Sequence, residues 1–308
     1  MRIAITGGTG FVGQHFISQA DVTVAHILSR DAVRAGKLFP SDEDRTKTIR
    51  AFAWDSSHEP APADAFEDVD AVVHLLGETV QGRWNKDKKR RIRDSRVLGT
   101  KNLVKALTVL PNKPRVLIAG SAVGFYGDCG DEELNEQHVA GSGFLADVCQ
   151  QWEAVANEAA KSGIRVVNLR TGLVLGEDGG PLQKMLMPFR LCLGATIGDG
   201  RQYMPWIHVE DLCRMIMFAI EHEQITGPLN GTAPKPVTNT EFTRALAKQL
   251  SRPALMPAPA WLLRTMLGEF ADVLLYSQRA IPAKAQQAGF EFKYAELSAA
   301  LADLFCES

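Results

Sequence analysis

The stretch that most constrains the fold is Thr6-Gly7-Gly8-Thr9-Gly10-Phe11-Val12-Gly13, which follows the short apolar run Ile3-Ala4-Ile5. An apolar run ending in glycines predicts a first β-strand that turns sharply into a helix. Gly8, Gly10 and Gly13 satisfy G-x-G-x-x-G, while Gly7, Gly10 and Gly13 satisfy G-x-x-G-x-x-G. One glycine permits the tight turn, one lets backbone approach a pyrophosphate, and the last lets the helix pack on the strand. The helix amino terminus at Phe11 and Val12 then offers free N–H groups and a partial positive charge to phosphates. A bare glycine turn is the alternative. The placement between strand and helix is the context a dinucleotide-binding motif requires, so a dinucleotide is expected here.

A chain of 308 residues, 45% hydrophobic and 23% charged, has enough apolar material for one large or two ordinary domains. Its formal net charge of -2 gives no electrostatic case for nucleic acid or an anionic membrane as partner. Cys129, Cys149, Cys192, Cys213 and Cys306 are scattered, odd in number and never in C-x-x-C spacing. That pattern argues against a disulfide framework and against a zinc site, so no metal is expected. The amino terminus runs straight into a strand rather than a signal peptide, and no stretch nears the ~18 apolar residues of a membrane span. A cytoplasmic, reducing compartment is the expectation.

Strands and helical stretches then alternate, which predicts right-handed βαβ units and an α/β fold with a doubly wound parallel sheet. The second strand, Val22 to Leu28, ends at Ser29-Arg30. An acidic residue at this tip bonds a ribose 2′-hydroxyl, whereas an arginine accommodates a 2′-phosphate. Arg30, with Ser29 as a hydroxyl donor, therefore favours NADP(H) over NAD. The third strand, Ile49 to Trp54, leads to Asp55, placed to read an adenine edge. The fourth, from Ala71, ends at Leu76-Gly77-Glu78, outside the carboxyl end of the sheet where ligands sit. Lys86 to Arg96 carries seven basic residues in eleven positions, most of them reading as a solvated helix face. Arg96 and Thr100, four apart, share the face that looks back at the cofactor.

The fifth strand, Val116 to Gly120, ends in Ser121-Ala122-Val123-Gly124-Phe125-Tyr126-Gly127. A helix over roughly Phe144 to Ser162 follows, then a sixth strand ending at Arg170-Thr171-Gly172. Residues 1–175 read as the dinucleotide-binding domain, with segments around 201–230 returning to it. Residues 176–308 read as a smaller, mostly helical substrate lobe.

Together, the glycine turn, Ser121 to Gly127, Arg170-Thr171-Gly172 and Trp206-Ile207-His208-Val209-Glu210-Asp211 resemble the extended short-chain dehydrogenase/reductase superfamily. Arg201-Gln202-Tyr203 and Ser277-Gln278-Arg279-Ala280-Ile281-Pro282 are similar to its atypical "epimerase family" branch, which ends in a domain of unknown function at about 250–308. The resemblance implies a Rossmann fold and a nicotinamide dinucleotide. It also implies a Tyr-x-x-x-Lys pair on the helix after the fifth strand, where the tyrosine moves a proton and the lysine lowers its pKa. Phe144 and Val148 stand at the matching positions, and neither can move a proton. The superfamily's usual serine or threonine corresponds to Ser121 only if the register slips by one, since Ala122 falls at the expected place.

Any chemistry would then need another proton source. Ser121, Tyr126 and His208 are the candidate catalytic groups, with Cys149 beside the lost lysine position. Lys184, Arg201 and Tyr203 are candidates for binding substrate, and Arg170, Thr171 and Gly172 for binding cofactor. Each has a plainer reading as a packed aromatic, a loop-fixing imidazole or a buried thiol. Two functions stay open: an NADP-dependent oxidoreductase or epimerase-like enzyme, and a non-catalytic NADP(H)-binding sensor. A small-molecule substrate is the expected partner, and the chain is compatible with a homodimer.

Overall fold

The computed structural model describes residues 1–39, 47–254 and 256–306. Its centre is a seven-stranded sheet, parallel throughout. The strands are β1 (Arg2–Thr6), β2 (Val24–Ser29), β3 (Thr48–Ala53), β4 (Ala71–His74), β5 (Val116–Ala122), β6 (Arg165–Thr171) and β7 (Gly227–Gly231). Their order across the sheet is β7-β6-β5-β4-β1-β2-β3. The direction reverses beside β1, and that switch point opens a crevice at the strands' carboxyl ends.

Successive side chains on a strand point to opposite faces, and β1 shows why two helical layers are needed. Ile3 and Ile5 face α1 (Phe11–Gln19), while Ala4 faces the opposite layer. The first layer packs Phe16 and Ile17 of α1 with Met215 and Ile216 of a later helix, Val209–Glu221. The other layer sets Leu103 and Leu107 of α3 (Lys86–Thr108) and Ala156 of α4 (Phe144–Asn157) over Val72 and Leu117. Phe16 is wholly buried, a burial that contributes roughly 1.5–3 kcal/mol. The short α2 (Ala32–Leu38) starts on Asp31, whose carboxylate accepts the Arg34 N–H at 2.8 Å.

The strand–helix alternation loosens after β6. Residues 209–231 nevertheless return to the sheet as a covering helix and the edge strand β7. The remainder has its own core, built from Leu182, Leu186 and Phe189 of α5 (Gly180–Arg190), Trp206, Phe242 and the terminal Leu297, Leu301 and Leu304. The lobe also contains short two-stranded ribbons, such as Ala195–Ile197 with Met256–Ala258. Among the described residues no helix is long and apolar enough to cross a membrane.

Candidate functional site

At the switch point lies a cleft of about 270 Å³, lined by Gly7, Gly10, Phe11, Val12 and Gly13 on one side and by Gly120, Ser121, Trp152 and Thr171 on the other. The three glycines do different work. Gly7 has φ +71°, and a Cβ there would sit 2.8 Å from the Leu75 backbone. A Cβ on Gly13 would run into the Gly7 carbonyl and the Gly8 backbone, so this glycine sets how closely α1 meets β1. Gly10 is different: its Cβ would meet only the Gly7 oxygen, at 3.2 Å, and otherwise face open space. The first intrahelical bond runs from Gln14 N–H to Gly10 O at 2.9 Å. The amides of Phe11, Val12 and Gly13 precede it, so the helix supplies them no acceptor. A bare glycine face beside three free amides fits a pyrophosphate.

The tips of the strands on the β2–β3 side gather charge. Arg30 is exposed just past β2 and makes no hydrogen bond or ion pair among the described residues. It acts through space on both Asp55 and Glu78. Asp55 is held below its usual range by the Ser57 amide and by His58, and Glu78 by Lys88 at 2.7 Å. Arg96 donates to the Glu78 carbonyl at 2.9 Å and packs its guanidinium on Gly77. Thr100, expected on the same cofactor-facing side, is instead fully buried and bonded to His74 Nε2 at 2.9 Å. His74 Nδ1 lies 2.6 Å from Thr6 Oγ1, and burial pulls its pKa down to about 4, so it is neutral.

Ser121 reaches the cleft, but its hydroxyl donates at 2.7 Å to Glu153 Oε1. Arg170 grips that carboxylate with two bonds, Nε at 2.8 Å and Nη2 at 2.9 Å. Burial opposes the Arg170 charge, yet Glu153 raises its pKa above the ordinary value. The expectation that Arg170 contacts a cofactor is corrected: its guanidinium is spent inside this buried pair and stacked 3.5 Å over Phe125. Tyr126 belongs to the same network. It is wholly buried, donates to Asn230 Oδ1 at 2.7 Å and accepts from Arg170 at 3.1 Å. Burial pushes its pKa up, which unsuits it as a base, and it is not on the cleft lining. Thr171 lines the cleft and donates to the Leu169 carbonyl at 3.3 Å. Gly172 packs on Pro205 backbone.

Helix α4 carries neither member of the missing pair to the cleft. Phe144 meets Trp84 edge-on, with ring centres 5.2 Å apart, and Lys89 lies 5.0 Å from its centre. Val148 is 2% exposed. Cys149 lies against Ser121 and the Ala122 amide, and burial pushes its thiol up to about 11, leaving it inert near neutrality. The α4 residue that does line the cleft is Trp152. Sequence reasoning passed over both Trp152 and Glu153. The signal was present, since a lone glutamate among Trp152, Val155 and Ala156 on an apolar helix face needs a buried partner.

The other candidates lie apart. His208 caps the Val209–Glu221 helix, its Nδ1 accepting the Glu210 N–H at 3.2 Å, and stacks on Tyr294 with centres 4.0 Å apart. Burial lowers its pKa, and it serves the lobe's packing rather than the cleft. Lys184 bonds Gln81 of the loop after β4. Arg201 is fully exposed beside Asp199, and the Tyr203 ring lies under Arg279 at 5.3 Å.

The profile of the NAD dependent epimerase/dehydratase family matches residues 3–230, and that of a domain of unknown function, DUF1731, matches 258–304. The chain belongs to the NAD dependent epimerase/dehydratase family. Within it, an epimerase family protein of Mycobacterium leprae is 40% identical over 304 residues, covering 97% of this chain and 94% of the relative. Another family member, YfhF of Bacillus subtilis, is 36% identical and covers 100% and 99%. The human epimerase family protein SDR39U1, crystallised with NADPH, superposes with a TM-score of 0.86 at 32% identity over 99% of both chains. The fold is thus that of the extended short-chain dehydrogenases, a family of pyridine-nucleotide proteins.

Proposed function

We propose that the protein binds NADP(H) and, of the pyridine nucleotides, prefers the phosphorylated form. The observation that carries this reading is Arg30, exposed at the β2 tip without a hydrogen-bonded partner among the described residues. With Ser29 it would hold a 2′-phosphate, while the Phe11, Val12 and Gly13 amides hold the pyrophosphate. Asp55, Leu76, Gly77, Glu78 and Arg96 border the same strand ends. The NADPH in the human relative supports the assignment.

When bound, the nicotinamide supplies or accepts a hydride. The residues of this chain then limit what reacts. Both hydroxyls on the cleft lining, Ser121 and Thr171, donate inward to Glu153 and to the Leu169 carbonyl. Neither offers its proton to a substrate oxygen, and Phe144 and Val148 offer none. The enzyme reading is therefore an oxidoreductase or epimerase-like activity on acceptors whose reduced oxygen is weakly basic, such as conjugated carbonyls. Lys184, Arg201 and Tyr203 would bind substrate from the lobe. A non-catalytic NADP(H) sensor is the second reading, favoured by the absent pair. NADPH oxidation across sugar nucleotides, aliphatic ketones and quinones separates the two. Turnover confined to conjugated acceptors supports the first, and none at all with intact binding supports the second.

A further inference from the structure

A second cleft, on the lobe, shares no residue with the switch point. It opens beside the end of the helix Asn239–Gln249, has a volume of about 430 Å³, and is lined by Arg244, Lys248, Ser251 and Arg252 together with Ala247 and Pro253. The sequence around it is one-sided in charge. Acidic residues outnumber basic ones over the whole chain, 36 to 34, yet residues 242–268 hold Arg244, Lys248, Arg252 and Arg264 and no Asp or Glu. The three cations on the cleft are exposed, and none of their side chains makes a hydrogen bond or ion pair among the described residues. Like charges four apart on a helix repel by about 0.2–0.5 kcal/mol per pair. Arg244 and Lys248 are such a pair, and Arg252 follows at the same spacing just past the helix. The helix dipole accounts for Lys248, a cation in the last turn, but its influence fades outside that turn. Ser251 departs from the usual pattern as well. It closes the helix at φ +51°, in the left-handed region where glycine is the common choice. Its amide donates to the Lys248 carbonyl at 3.1 Å, and the Arg252 amide donates to the Ala247 carbonyl at 3.0 Å. This turn brings Arg252 onto the cleft, and serine in place of glycine keeps a hydroxyl there that has no hydrogen-bond partner among the described residues.

We infer that this cleft binds the phosphate or pyrophosphate group of a small phosphorylated molecule, at a site separate from the dinucleotide cleft. The guanidinium forks of Arg244 and Arg252 match phosphate oxygens two at a time, and the Lys248 ammonium adds a point charge. The Ser251 hydroxyl supplies a further donor. A multiply charged anion also cancels the mutual repulsion of three unpaired cations, which a single carboxylate does only in part. The described lining holds no aromatic ring, so it offers no stacking surface for a flat apolar ligand. Because the cations are open to solvent, binding is salt-sensitive.

The test is calorimetric titration of inorganic pyrophosphate, at low salt, into the full chain and into the double variant Arg244→Ala with Arg252→Ala. The unmodified protein should bind it, and the double variant should bind at this site at least about tenfold more weakly. Undiminished binding by the double variant would place the anion elsewhere, such as at the glycine turn, and overturns the inference. So does an absence of binding by the unmodified protein up to about 10 mM pyrophosphate. Citrate, titrated at the same ionic strength, should bind several-fold more weakly; equal affinity would reduce the site to general charge attraction and overturns the phosphate assignment. Both replaced side chains are exposed, so the double variant should melt like the parent. If it does not, Lys248→Gln alone carries the test. It should weaken pyrophosphate about threefold or more, and an unchanged Kd overturns the inference.

Discussion

Replacing Gly10 and Gly13 separately by valine should give opposite failures. Gly10 sits at φ −82°, ψ 170°, extended backbone that valine adopts readily. Its new Cβ would meet only the Gly7 oxygen, at 3.2 Å, so the fold should lose on the order of 1 kcal/mol. The valine methyls, however, would stand where the open face admits a pyrophosphate. Hydrogen bonds to a charged partner are worth ~1.5–3 kcal/mol each. Losing two of the three amide contacts therefore removes about 3–6 kcal/mol, a weakening of roughly 100-fold or more in Kd. At Gly13 the Cβ would lie 2.7 Å from Gly8 Cα and overlap the Gly7 carbonyl, both immovable backbone. Prying α1 off β1 should cost more than about 4 kcal/mol, an exceptional loss for one substitution. NADPH fluorescence titration beside thermal unfolding reads both. A Gly10→Val protein that binds NADPH within about threefold of the parent, or one that unfolds like Gly13→Val, would refute the division of roles.

Breaking the buried Glu153–Arg170 pair with Glu153→Ala should cost about 3–5 kcal/mol, since it strands a buried guanidinium; denaturant melts showing under about 1 kcal/mol would contradict that burial. His74 should make the protein acid-sensitive. Its folded pKa of about 4 lies below the unfolded 6.5, so the unfolded state binds the extra proton and stability falls as pH drops from about 6.5 to 4, by about 3 kcal/mol. The slope should flatten in His74→Leu relative to the parent, and an unchanged slope would remove the assignment. Val148→Lys, which restores the superfamily's lysine, should bury an unpaired ammonium and lower Tm by several degrees, so Phe144→Tyr with Val148→Lys should fail as a rescue of reductase activity; a stable and active double variant would show that position 148 admits the ammonium despite its burial.

The sheet and its switch point were legible because they follow from local rules: glycine spacing, apolar runs and turns at fixed offsets. The family's two profiles likewise match segments whose residues stand out in the sequence. The side-chain commitments were not legible. Arg170 and Tyr126 look like site residues because they end strands, yet they are joined to Glu153 and Asn230, which lie 17 and 104 positions away along the chain. Phe144, Val148 and Trp152 follow one another at four-residue spacing on α4, and which turn of that face reaches the cleft depends on how far the helix runs past the end of β5. His208 shows the same limit, since its role as a cap depends on a helix that begins immediately after it.

The central claim is tested most directly by titrating the unmodified protein with NADPH and with NADH, then repeating both with Arg30→Ala. A charge-assisted bond to the 2′-phosphate is worth ~1.5–3 kcal/mol. NADPH should therefore bind roughly tenfold or more tighter than NADH, and Arg30→Ala should erase that advantage while leaving NADH nearly unchanged. Superimposable curves for the two nucleotides in the unmodified protein would contradict the account.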